Sequence, residues 1–147
     1  MLGCTFFGHS NTSSDVNEAL RAVITELIEV RGVSRFYVGN HGNFDRIVTR
    51  ALRECAAVYP HIRYAVVLAY YPHQMVQTET PPAEETVFPE EVACAPKRYA
   101  IIRRNQWMID HADYVVTCVW DTATNAAKFK EMAMRKQKIV IELTERQ

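Results

Sequence analysis

Residues 4–39, CTFFGHSNTSSDVNEALRAVITELIEVRGVSRFYVG, decide the fold. Cys4 to Gly8 is a short apolar run ending in glycine, and His9-Ser10-Asn11-Thr12-Ser13-Ser14 is a cluster of turn and helix-capping residues. From Asp15 the apolar positions Val16, Ala19, Leu20, Val23, Ile24, Leu27 and Ile28 recur at three and four, which puts them on one face of a helix ending near Gly32. Phe36 to Gly39 is a second apolar strand. Strands that are apolar throughout, joined by an amphipathic helix, imply a parallel sheet covered on both faces.

The alternation continues outward from this unit. Asn43 can cap a second helix in which Phe44, Ile47, Val48, Ala51, Leu52 and Cys55 form one stripe, closed by Pro60, and Tyr64 to Ala69 reads as a third strand. Residues 71–96 break any periodicity with Pro72, Pro81, Pro82, Pro89 and Pro96 and carry Glu79, Glu84, Glu85, Glu90 and Glu91 without Lys or Arg, so the segment 72–96 is expected to be a long acidic loop. Lys97, Arg98, Arg103 and Arg104 open a third helix with Ile101, Met108 and Ala112 toward the core. Tyr114 to Trp120 is a fourth strand, Thr124 to Arg135 a fourth helix and Ile139 to Leu143 a fifth strand. The expected fold over residues 1–147 is a single α/β domain, a three-layer, Rossmann-like, doubly wound parallel sheet of five main strands. Right-handed crossovers favour the order 3-2-1-4-5, with a ligand crevice beyond the carboxyl ends of strands one and four. Its rim would carry Gly8, His9 and Ser10 from one strand and Trp120, Asp121 and Thr122 from the other, with Gly39 to Asp45 beside them.

The 147 residues carry 17 Lys and Arg against 17 Asp and Glu. Zero formal charge removes the electrostatic term that dominates most nucleic-acid and membrane-surface binding, so neither a nucleic-acid polymer nor a membrane is expected as a partner. Apolar runs such as Tyr64 to Tyr71 are far shorter than the ~20 residues of a membrane helix, and the start MLGCTFFGHS has no basic region or cleavage site, which suggests a cytoplasmic protein. Cys4, Cys55, Cys94 and Cys118 are widely spaced and read as buried, reduced thiols.

Gly39-Asn40-His41-Gly42-Asn43-Phe44-Asp45 joins a strand to a helix N-terminus, where free N–H groups and the helix dipole favour an anion; a plain tight turn would use the same residues. His9, His41, His73 and Asp121 all follow strands on one predicted edge, but no two share the spacing that would fix them on one helix, and no metal or cofactor is expected. Asp110, Asp113 and Asp121 offer no acid–base pair, and Asp113 reads as a turn residue before a buried strand. Arg103 and Arg104 could grip a phosphate or carboxylate, or pair with the acidic loop. Trp107 and Trp120 could stack on a base, with a place in the core the simpler role for at least one of them.

CTFFGHS, FYVGNHGNFDRIV, YPHIRYAVVLAY, RRNQWMIDHADYVV and NAAKFKEMA, in this order, resemble the YpsA-type branch of the SLOG superfamily, Rossmann-like proteins thought to sense or process nucleotide-derived ligands. The superfamily includes the LOG phosphoribohydrolases, which cleave the N-glycosidic bond of a nucleoside monophosphate. The resemblance implies that Arg104, four residues before Met108, grips phosphate or ribose and that Glu131 bears on the glycosidic bond. Thr124, Asn125 and Ala127 stand where those enzymes have glycines, and Ser10 stands where relatives often have Arg; Thr122, Thr124 and Asn125 offer side-chain donors there instead. A homodimer is likewise implied by the relatives.

The first reading is therefore a protein that binds a nucleotide or nucleotide derivative with Gly8, His9, Ser10, Gly39, Asn40, Gly42, Asp45, Asp121, Thr124 and Asn125, and as an enzyme hydrolyses an N-glycosidic bond through Arg104 and Glu131. The alternative is a ligand-sensing or interaction module without catalysis, whose 72–96 loop engages a protein partner.

Overall fold

The computed structural model describes residues 1–71 and 81–143. Strand β1 (Leu2–Gly8) sends Cys4 and Phe6 into one core and Phe7 into another, so the strand is apolar on both sides because both sides are covered. The first face is covered by α1 (Asn17–Glu29), through Leu20, Ile24, Leu27 and Ile28, and by α2 (Asn43–Val58), through Phe44, Val48 and Leu52. The opposite face is covered by α4 (Ala100–Asp110), through Met108 and Ile109, and by α5 (Asn125–Arg135), through Phe129 and Ala133. Each of these side chains larger than alanine, taken fully from water, contributes about 1.5–3 kcal/mol before entropy is charged against it.

The remaining strands are β2 (Val33–Val38), β3 (Arg63–Val67), β4 (Glu84–Val87), β5 (Tyr114–Cys118) and β6 (Ile139–Glu142). All pair in parallel in the order β4-β3-β2-β1-β5-β6. The five expected strands keep their predicted order, and the winding reverses between β1 and β5 as expected. Asp113 accepts the Gly3 amide N–H at 2.9 Å, which ties the beginning of β1 to the turn before β5 and agrees with its reading as a turn residue.

Part of the acidic loop needs correction. Within 72–96 the described residues include the edge strand β4 and the one-turn helix α3 (Glu90–Ala93), followed by a 3-10 turn at Lys97–Tyr99. Glu84 and Glu85 do not remain as unpaired loop charge: Arg35 grips Glu85 with two hydrogen bonds of 3.0 and 2.9 Å, and Arg53 meets Glu84 at 3.0 Å. Proline punctuation and the low strand propensity of Glu hid a strand that pairing and arginine contacts hold in place. Residues 72–80, with His73 and Glu79, lie outside the described residues.

Two smaller expectations also change. The cap of α2 is Gly42, and Asn43 is the first helical residue, its side-chain amide donating to the Thr12 carbonyl. Cys4, Cys55 and Cys118 are buried, whereas Cys94, just after α3, is exposed. Among the described residues no helix is long and apolar enough to cross a membrane.

Candidate functional site

The loops after β1 and β2 are fastened together before any ligand is considered. Gly42 has φ 87°, a conformation that side chains with a Cβ rarely adopt, and a Cβ there would come within 2.7 Å of the Ser10 Cα. The Asn43 N–H donates to the Ser10 carbonyl at 2.8 Å, and both the N–H and the hydroxyl of Thr12 donate to the His9 carbonyl, at 3.1 and 2.7 Å. The glycine therefore serves loop contact, as a tight turn does.

Between these loops, α4 and the N-terminus of α5 lies a cavity of about 610 Å³, at the switch between β1 and β5. Gly8, His9, Ser10 and Asn11 line one side, His41, Asp45, Arg104 and Asn105 another, and Thr124, Asn125 and Phe129 a third. Its size is in the ordinary range for a small-molecule site.

Arg104 is its principal charge and is only 3% exposed. Its Nε donates to Asn105 Oδ1 at 2.8 Å, and its Nη1 lies 3.2 Å from Asn40 Oδ1, 3.3 Å from His41 Nδ1 and 3.3 Å from the Val67 carbonyl oxygen. These are neutral acceptors, and among the described residues Arg104 forms no ion pair. Burial pushes its pKa down while the charges of Asp45 and Tyr70 oppose the shift; the guanidinium remains protonated at neutral pH. The Nη1 contact requires His41 Nδ1 to act as acceptor, so the ring is neutral with its proton on Nε2, and burial followed by the Arg104 charge lowers the His41 pKa accordingly.

Asp45 takes the His41 backbone N–H at 2.9 Å, and burial pushes its carboxyl up to about 6 against the opposing pull of that bond and of Arg104. Gly39 makes the arrangement possible. A Cβ on it would lie 2.8 Å from Asp45 Oδ2 and 2.9 Å from Arg104 Cζ, in the space both side chains need. Asp45 also borders a second cavity of about 760 Å³, together with Gly39, Asn40 and Gly42.

On the far side, Thr124 caps α5 by accepting the Ala127 N–H at 3.4 Å, which brings an eleven-residue helix N-terminus to the cavity wall. Asp121 holds this turn: its carboxylate accepts the Ala123 N–H at 2.9 Å, and its carbonyl accepts the Thr124 hydroxyl at 2.8 Å. His9 Nε2 accepts the Trp120 backbone N–H at 3.1 Å, and the two rings meet edge-on with centroids 3.9 Å apart.

Gly8, His9, Ser10, Asp45, Arg104, Thr124 and Asn125 thus come together around one cavity. Asn40 reaches it through Arg104, Gly39 and Gly42 border the neighbouring cavity, and Asp121 is exposed and serves the turn. Glu131, two turns into α5, is exposed and does not line the cavity. Arg103 is exposed as well. Among the described residues no three His, Cys, Asp or Glu side chains are placed to hold a metal ion.

Sequence reasoning missed Asn105 and His41 as partners of Arg104. The signal was in the helical stripes: Arg104 falls four residues after Ala100 and four before Met108, and Asn105 falls four after Ile101 and four before Ile109. Two polar residues on inward-facing positions mark a buried polar cluster.

No family model matches the chain, and no curated protein matches it significantly. Solved structures do. DNA processing protein A (DprA) from Streptococcus pneumoniae superposes with a TM-score of 0.67 at 14% identity, over 97% of this chain and 50% of that one. A structure of DNA processing protein A from Helicobacter pylori, described for its single-stranded DNA binding mode, gives 0.65 at 13% identity, over 96% of this chain and 64% of that one. The chain therefore spans half to two-thirds of the length of these proteins. Exclusion of a nucleic-acid polymer on net charge does not stand, because a protein of this fold is described as binding single-stranded DNA. A total charge says little about a cavity whose one buried cation is local. The chain has the Rossmann-like α/β fold of the DprA structures.

Proposed function

We propose that this protein binds the phosphate of a nucleotide, free or within a single strand, in the cavity between β1 and β5, and does so without cleaving it. The observation that carries this reading is Arg104, a buried guanidinium held by neutral acceptors and lining the same cavity as a helix N-terminus. Asp45 acts on Arg104 through its charge but forms no salt bridge with it, and an oxyanion entering the cavity supplies the direct partner that a buried guanidinium favours. The helix N-terminus favours the same charge, and Thr124 and Asn125 add polar side chains there. The DprA likeness supports the choice of a nucleotide unit, including one within single-stranded DNA. Glycosidic cleavage finds no support, since Glu131 is exposed outside the cavity.

A thermal-shift titration with nucleoside monophosphates, short single-stranded oligonucleotides and non-phosphorylated nucleosides tests the proposal. Ligand at 100 times its dissociation constant adds ~2.7 kcal/mol of stability, an easily measured shift. Phosphorylated ligands should shift the transition, nucleosides should not, and chromatography should recover each nucleotide intact. Free base released by wild-type protein but not by Glu131→Ala would restore the enzymatic reading.

A further inference from the structure

We propose that Trp120, braced by His9, is the surface on which the base of the bound nucleotide stacks. This rests on the reading of the cavity as a phosphate site and adds what selects a nucleotide over other phosphate esters. The two tryptophans differ in what already covers them. Trp107 lies flat against His111, with ring centroids 3.9 Å apart and planes at 24°, and meets Tyr37 edge-on at 5.4 Å. Trp120 has a ring contact only with His9 among the described residues, at an interplanar angle of 65°, and is 52% exposed. An edge-on contact occupies at most one face of the indole and leaves the other in water.

The position is nonetheless fixed. The backbone N–H of Trp120 is bonded to His9 Nε2, and His9 is itself 6% exposed, with its carbonyl bonded twice to Thr12. A large apolar surface held open in this way loses little freedom when a ring settles on it. It also stands in the right place. His9 lines the cavity on one side of Trp120 in space, and Ala123 and Thr124 line it just beyond Trp120 in the chain. Trp120 does not itself line the cavity, but its contact His9 does, so a base stacked on Trp120 would lie beside the cavity that holds a phosphate at Arg104. Stacking on an aromatic face accepts any base, so it separates nucleotides from sugar phosphates without choosing among nucleotides.

The test uses Trp107→Phe protein, in which fluorescence reports Trp120 alone, titrated with adenosine monophosphate, ribose 5-phosphate and a short oligothymidylate, with thermal shift as an independent measure of binding. Adenosine monophosphate and the oligonucleotide should quench the emission, whereas ribose 5-phosphate should bind without quenching. Trp120→Ala should weaken adenosine monophosphate at least about fivefold and leave ribose 5-phosphate unchanged, and Trp120→Phe should recover most of the loss. If adenosine monophosphate binds without quenching and Trp120→Ala binds it normally, the stacking role is wrong while the phosphate site stands. If none of the three ligands binds, both fall.

Discussion

Arg104 and Asp45 sit on either side of the space where a Gly39 Cβ would be, and each side chain's chemistry is set by the other and by burial. Gly39→Ala would push a methyl group into atoms under 3 Å away, so it should lower stability by about 1–3 kcal/mol and weaken phosphate binding together, measured by urea unfolding and titration. Asp45 gives a pH signature. Its folded pKa of about 6 lies above the ordinary 3.8, so its contribution to stability is complete below pH 3.8 and is lost as pH rises through 6. Between pH 4.5 and 7.5 the wild type should lose on the order of 2 kcal/mol relative to Asp45→Asn, read from urea midpoints. Parallel stability curves for the two proteins would show that Asp45 is not buried as described. Of the residues read from the sequence as a site, Gly8, His9, Arg104 and Thr124 line the cavity, because all but Arg104 end or follow strands at the edge where it opens and Arg104 falls on the inward stripe of α4. Glu131 and Asp121 stand exposed outside its lining, because a motif position does not say which way a helical or loop side chain faces.

At the scale of elements, the four long helices were readable from their apolar stripes and the central strands from their unbroken hydrophobicity, whereas the one-turn α3 was not. β4 was not readable, because an edge strand needs only one covered face and here carries Glu84 and Glu85, which hold it by side-chain pairing to Arg53 and Arg35. Glu85→Ala should speed hydrogen exchange of the β4 amides several-fold with little change in global stability, since a half-exposed ion pair is worth only ~1 kcal/mol or less. Equal exchange in both proteins would assign the strand's stability to its backbone ladder alone. The turn after α5 offers an independent check. Gln137 has φ 61° and its N–H reaches back to the Met134 carbonyl, a position that glycine occupies without strain. Gln137→Gly should raise stability by about 1 kcal/mol, visible as a higher melting temperature.

For the molecule as a whole, parallel strands in the order predicted for five of the six put the reversal point between β1 and β5, and the cavity lies there. Balanced charge proved a poor guide to partners, because 17 positive and 17 negative residues cancel across the whole surface while Arg104 acts locally. The total still bounds the binding mode. If one or two phosphates contact the site, the logarithm of affinity for a short single strand should fall with the logarithm of salt concentration at a slope of about −0.7 to −1.4. A much steeper slope would point to an extended basic surface elsewhere. The most direct test is isothermal titration of adenosine monophosphate into wild-type protein and Arg104→Lys, the latter retaining charge but losing the planar fork. The account predicts saturable 1:1 binding to the wild type and at least about tenfold weaker binding to Arg104→Lys, with both proteins folded. Equal affinity for the two, or no binding to folded wild-type protein, would contradict it.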